Sequence, residues 1–219
     1  MIIVAGGIGT RMKSDRPKQF IELGGEPIII RTIRCFFAYN PAMQVIICVH
    51  RNYRSHLEGL LEKFNLRNMP VKITFGGETR FESVKNGLKL IENGHGVVGI
   101  HDSARPFVSA ETIRTCYETA QQKGNAVPCL PVNESLRKIS NNVNSSVNRN
   151  EYKIVQTPQC FHVEKIKKAF ENAAGTAFMD DASVLESAGE SIVLVEGNEE
   201  NIKITSPHDL LLAKAILQK

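Results

Sequence analysis

The chain has 219 residues, of which 42% are hydrophobic and 23% charged, with a formal net charge of +4. This is the balance of a globular protein large enough to bury a core without staples. The basic residues are scattered rather than gathered into a nucleic-acid arm, and no apolar run reaches the ~18 residues of a membrane span. Five cysteines without a CxxC pair argue against a disulfide framework or zinc site and for buried thiols in a reducing, cytoplasmic setting.

Short apolar runs alternate with segments of helical periodicity. Ile2–Val4 reads as a buried strand that runs into a glycine turn, which is unlike a signal peptide. A helix is expected from Pro27 to Tyr39, a strand over Val45–Val49 and a helix from Tyr53 to Phe64. Then follow a strand at Val71–Phe75, a helix from Phe81 to Ile91 and a strand at Val97–His101. A helix from Ala110 to Gln122 and a strand at Ala126–Leu130 complete the series. This rhythm predicts an α/β fold with a mostly parallel sheet covered on both faces. Between Pro131 and Ile154 the rhythm breaks into two alternating segments around an Asn/Ser-rich turn, the pattern of a projecting β-hairpin. Such a ribbon is marginal alone, so a partner chain is expected to cover it. Helices at Val163–Ala173 and Asp181–Ser187 follow, with a strand at Ile192–Val195. Ser206-Pro207-His208-Asp209 reads as a helix start. A single domain over 1–219 is expected, with 132–154 as the arm.

Three motifs sit where a strand ends. Ala5-Gly6-Gly7-Ile8-Gly9-Thr10-Arg11-Met12 closes with Pro17-Lys18-Gln19. Glycines there let backbone N–H groups converge on phosphate oxygens, and Arg11 and Lys18 add fixed positive charge. The motif lacks the Gly-Lys-Ser/Thr of a P-loop, and Met12 stands where the dinucleotide fingerprint has its third glycine. The second motif, Gly76-Gly77-Glu78-Thr79-Arg80-Phe81-Glu82-Ser83, opens a helix whose N-terminus favours anions or polar base edges, with Ser83 a donor to a base or ribose. The third is His101-Asp102-Ser103-Ala104-Arg105-Pro106. Here Asp102 suits a magnesium ion bridging phosphates, or a sugar hydroxyl, and Arg105 suits a phosphate fork. Further on, Gln156-Thr157-Pro158-Gln159-Cys160-Phe161 reads as a polar turn, and Asp180-Asp181-Ala182-Ser183 as a helix cap whose paired carboxylates could instead bind magnesium. Asn201–Thr205 reads as strand-like, carrying Lys203. The histidines form no triad and no GxSxG elbow occurs, so catalysis by a protein nucleophile is not indicated.

In that order, AGGIGTRM with PKQ, GGETRFESVKNGL, HDSARPF, QTPQCF, DDAS and NIKITSPHDL resemble the 2-C-methyl-D-erythritol 4-phosphate cytidylyltransferases of isoprenoid biosynthesis. Their close relatives, the ribitol-5-phosphate cytidylyltransferases, share the pattern. The resemblance spans nearly the whole chain. It implies a Rossmann-like nucleotidyltransferase fold, a homodimer joined through the arm, and use of magnesium or another divalent cation. By motif, it implies that Ala5, Gly6, Gly7, Gly9, Arg11 and Lys18 hold the CTP phosphates, with Arg11 and Lys18 as the catalytic cations. Gly77, Glu78, Arg80 and Ser83 would face cytosine and ribose, with Ser103 close to the nucleotide. Asp102, Arg105 and Lys203 would meet the sugar-alcohol phosphate, with Asp102 toward the metal. Ser135 and Arg149 would reach across from the partner's arm. Ser103 stands where the family usually has Ala, Ser135 where it has Thr, and Met179 where some members have Thr. Rival readings are a nucleotide-sugar glycosyltransferase, whose usual DxD motif is broken here by Ala104 two places after Asp102, a ribitol-5-phosphate enzyme and a nucleotide-binding regulatory module. The module would not need the Arg11–Lys18 pair.

Overall fold

A computed structural model of the chain describes residues 1–7 and 17–218. Twelve strands and seven helices lie among them, in chain order. They are β1 (Ile2–Ala5), β2 (Glu22–Leu23), β3 (Glu26–Pro27), α1 (Ile28–Tyr39), β4 (Val45–Val49), α2 (Arg54–Lys63) and β5 (Val71–Phe75). Then come α3 (Arg80–Lys89), β6 (Val97–Asp102), α4 (Ala110–Lys123), β7 (Asn125–Pro131), β8 (Arg137–Ser140) and β9 (Val143–Ser146). The chain closes with β10 (Lys153–Val155), β11 (Gln159–His162), α5 (Val163–Asn172), α6 (Asp181–Ser187), β12 (Leu194–Glu196) and α7 (Pro207–Ile216).

Eight of the strands form one sheet, ordered β10-β7-β11-β6-β1-β4-β5, with β12 also paired to β7. β1 pairs in parallel with β4 and β6, and β4 with β5. The apolar runs of β1 and β4 follow from burial on both faces, the usual condition of central parallel strands. Alternate side chains go to opposite sides. Ile3, Val45, Ile47 and Val49 pack against α1, α2 and α4. Ile2, Ile46 and Cys48 pack against α3, α5 and α6. All five cysteines are free thiols, four of them buried.

The structure corrects the sequence in two places. Gln156–Phe161 is not simply a turn. Its second half is β11, inserted antiparallel between β6 and β7, with Gln159, Cys160 and Phe161 fully buried. The Asn201–Thr205 segment is an extended connection rather than a strand, tied to the sheet region by Ile204 N–H donating to Ala104 O.

β8 and β9 make their own two-stranded antiparallel ladder, turning on Asn141 and Asn142 at φ 49° and 63°. Two left-handed residues in a two-residue loop match the twist of the flanking strands, and Asn tolerates that conformation. Among the described residues, no helix is long and apolar enough to cross a membrane.

Candidate active site

The ends of β1, β5 and β6 deliver the three motifs to one place. Parallel sheets bind ligands there, at the carboxyl ends of their strands. The two glycine loops lie back to back. A Cβ at Gly76 would come within 3.2 Å of Gly6 Cα, and one at Gly77 would strike Glu82 Cβ at 2.2 Å. Only glycine permits that approach. Gln19 secures the first loop, its Nε2 donating to Ala5 O at 2.8 Å and Gly7 O at 3.0 Å. The second loop runs into α3 through a reciprocal cap. Glu82 N–H donates to Thr79 Oγ1 at 3.1 Å, and Thr79 N–H to Glu82 Oε2 at 3.0 Å. Ser83 belongs to this scaffold. Its hydroxyl donates to Thr79 O at 2.9 Å and accepts from Gly77 N–H at 3.0 Å, so its proton is not turned toward a ligand.

A cavity of about 170 Å³ opens here, lined by Gly6, Gly7, Lys18, Gly77, Glu78 and Ser83 among others. A second lobe of about 350 Å³ is lined by Arg105, Thr157, Met179 and Asp180 among others. Arg80, Asp102 and Lys203 line both. Two larger hollows lie away from the motifs. One of about 530 Å³ is at the opposite ends of the strands, beside Tyr39, Leu90 and Tyr117. One of about 800 Å³ lies between α5 and α6.

Asp102 occupies the junction of the lobes. Its Oδ2 is 2.8 Å from Lys203 Nζ and 3.6 Å from Arg105 Nε, and its Oδ1 is 3.3 Å from Arg80 Nε. Burial works against a charge on Asp102, but Arg80, Lys203 and Arg105 outweigh it and hold the carboxyl well below the usual range. Arg80 in turn grips Asp181 with both Nη atoms, at 2.7 and 2.6 Å. Burial opposes the Arg80 charge, yet Asp181 and Asp102 together raise its pKa above the ordinary value. Burial pushes the Asp181 carboxyl up against the pull of Arg80. A fork this short is that of an ionised pair.

The loops around this centre are tied to one another. Arg105 Nη1 donates to Asn201 O at 2.7 Å, and Asn201 Nδ2 to Thr157 O at 2.8 Å. Gln156 Nε2 donates to Asn198 O at 2.9 Å. The Arg105 guanidinium therefore braces the Lys203 segment, while its buried Nε has no hydrogen-bond partner among the described residues.

The expected residues sort by place. Ala5 is buried at the end of β1. Gly6, Gly7, Lys18, Gly77, Glu78, Arg80, Ser83, Asp102, Ser103 and Lys203 line the first lobe, and Arg105 lines the second. Gly9 and Arg11 lie outside the described residues. Ser135 and Arg149 are exposed on the arm and line neither lobe. Arg149 Nη1 donates to Asn133 O. The sequence reading took Gln19 as part of the first loop and Asp180-Asp181 as a helix cap or a magnesium pair, and did not assign Thr157 or Gln159 to the site. Thr157 and Gln159 act through partners distant in sequence, and only the polar character of QTPQCF hinted at them.

Among the described residues, no group of three or more His, Cys, Asp or Glu comes together. Magnesium commonly takes one or two carboxylates and completes its shell with water and substrate phosphates. Asp102, the one carboxylate among the described residues that lines both lobes, fits an ion that arrives on a nucleotide. It does not form a dedicated cage.

A family model described as "2-C-methyl-D-erythritol 4-phosphate cytidylyltransferase" matches residues 1–219. Relatives of that name are 45% identical over 217 residues in Phocaeicola vulgatus (99% of this chain, 98% of the relative) and 46% identical over 218 residues in Bacteroides fragilis (99% and 98%). A solved structure of that name from Thermus thermophilus superposes with a TM-score of 0.82 at 30% identity, covering 100% of this chain and 98% of that one. A 4-diphosphocytidyl-2C-methyl-D-erythritol synthase from Anaerococcus prevotii gives 0.86 at 26% identity, covering 100% and 95%.

Proposed function

The chain belongs to the 2-C-methyl-D-erythritol 4-phosphate cytidylyltransferase family, and from that premise we propose how its residues carry out the transfer. The enzyme moves a cytidylyl group from CTP to 2-C-methyl-D-erythritol 4-phosphate, releasing pyrophosphate, in isoprenoid precursor synthesis. The relatives named for the methylerythritol acceptor favour it over ribitol phosphate. The observation that carries the mechanism is the Arg80–Asp102–Lys203 wall shared by the two lobes. A nucleotide in the glycine-lined lobe and an acceptor in the second would meet there.

The acceptor is a phosphate monoester whose second pKa is about 6, so it is mostly dianionic at neutral pH. No general base is needed. One of its oxygens attacks the α-phosphorus, the new P–O bond forms, and the bond to the β-phosphate oxygen breaks as pyrophosphate leaves. The barrier lies in bringing two polyanions together and in holding charge that develops at phosphorus. Fixed cations in a site with little water serve both needs. Lys18, and Arg11 beyond the described residues, would hold the triphosphate. Lys203, braced by Asp102, and Arg105 would draw in the acceptor. Magnesium, held by the triphosphate with Asp102 as its protein ligand, would supply further charge neutralisation when bound.

The same reading includes a homodimer in the cytoplasm. The arm exposes Ile139, Val143 and Ile154 at 78%, 70% and 52%, an apolar surface that a second arm would cover. Ser135 and Arg149 lie outside their own chain's lobes, as residues serving a partner's site would. The experiment is direct. The purified protein is given CTP and magnesium with methylerythritol phosphate or ribitol phosphate, and pyrophosphate release is followed. Release with the first acceptor alone is expected. No release with either would favour a regulatory nucleotide-binding module.

A further inference from the structure

Two helix N-termini meet at the junction of the lobes. Arg80 is the first residue of α3 and Asp181 the first of α6. Their side chains form a two-point fork across 101 residues of sequence. The Asp181 side chain is 1% exposed, and it lines neither lobe. With one partner buried this deeply and the Arg80 side chain 29% exposed, the pair is a poor source of stability, because desolvating the carboxylate offsets much of the attraction. A cation at a helix N-terminus is also unfavourable by itself. The pair therefore calls for another explanation.

Its surroundings supply one. Gln159, fully buried on β11, accepts from the N–H groups of Asp181 at 3.1 Å and Ala182 at 2.9 Å. Its Nε2 donates to Asp180 Oδ2 at 2.7 Å. Asp181 is thus mounted on a backbone fixed to the sheet. A planar guanidinium held at both Nη atoms cannot rotate, and the remaining Nε faces Asp102 Oδ1. The other Asp102 oxygen holds Lys203. A continuous line of contacts runs from Gln159 through Asp181, Arg80 and Asp102 to Lys203.

We infer that Asp181 is a positioning residue for the transfer reaction, fixing the orientation of Arg80 and, through Asp102, the place of Lys203 at the wall where the two substrates meet. The inference rests on the transfer reaction above, and wild-type turnover in the same assay tests that reaction separately. Asp181→Asn keeps the backbone contacts to Gln159 but sets an amide NH₂ against the guanidinium. The variant should fold, with a circular dichroism spectrum like that of the wild type. Its kcat should fall roughly 10–100-fold, the scale of a misplaced reacting group, and its acceptor KM should rise. A stabilising pair alone would lower the melting temperature and leave both KM values and kcat untouched. That result in folded Asp181→Asn overturns the inference. Should Asp181→Asn not fold, Arg80→Lys keeps a positive charge against Asp181 but has no fork. A fall in kcat of the same order is expected, and turnover within about twofold of wild type would overturn the inference.

Discussion

Lys203 Nζ lies 2.8 Å from Asp102 Oδ2, joining the carboxyl end of β6 to an extended segment far along the chain. The lysine side chain is 38% exposed and the aspartate side chain 11%, so the pair presents chiefly its cation to the lobes that both residues line. Lys203→Ala should remove acceptor-facing charge and leave the sheet intact. We expect kcat/KM for the acceptor to fall by roughly 10²-fold, the scale seen when one preorganised donor to a developing charge is lost. Steady-state pyrophosphate release, with melting temperature as the control for folding, checks this. Near-normal kcat/KM would take Lys203 out of the reaction.

Lys18 stands at the mouth of the glycine-lined lobe, half-buried, at the start of the short turn whose Gln19 secures Ala5 and Gly7. Lys18→Ala should cut turnover by about 10²–10³-fold without unfolding the protein, because a fixed cation at the triphosphate acts chiefly on the transition state. Arg11→Ala should behave similarly. Turnover close to wild type in either variant would contradict the assignment of the loop to the triphosphate.

The arm can be tested apart from the pocket. Ile139→Lys places a charge at the most exposed apolar residue of the arm, and size-exclusion chromatography with light scattering should show the proposed dimer for the wild type and a monomer for the variant. Arg149→Ala should raise the acceptor KM more than the CTP KM, because Arg149 lines neither lobe of its own chain. An unchanged acceptor KM would exclude the arm from the site, whatever the oligomeric state.

Most of what was legible in the sequence was local. The glycine loops after β1 and β5, the caps at Thr79, Asp180 and Ser206, and the Asn-Asn turn of the arm each depend on residues within a few positions of one another. What escaped was long-range. β11 is short, begins beside a proline and carries a polar Gln159 inward. Its burial is possible only because α6, more than twenty residues on, satisfies the amide. The Arg80–Asp181 fork has no sequence period at all. Asn201–Thr205 alternates like a strand, but its Ile202 and Lys203 serve the α7 cluster and Asp102 instead of a ladder.

His101 yields a prediction about pH. It is fully buried at the end of β6, with its ring against Phe36 at 4.9 Å between centroids. Its Nε2 lies 3.0 Å from Arg105 O, a carbonyl that can only accept, so Nε2 carries the proton. Nδ1 is then an acceptor, and Thr157 Oγ1 at 3.0 Å donates to it while accepting from Asp102 N–H. Protonating Nδ1 would set donor against donor in an apolar shell. Burial accordingly lowers the His101 pKa from 6.5 to about 4, against the smaller pull of the Arg105 carbonyl and Asp102. The unfolded chain binds a proton in that window and the folded chain does not. Stability from this group is therefore complete above about pH 6.5 and declines as pH falls toward 4, by about 3 kcal/mol in all. Urea unfolding of the wild type at pH 7 and pH 5 should show the loss, and His101→Gln, which cannot titrate, should show a smaller one. Equal losses in the two proteins would assign the acid sensitivity to other groups.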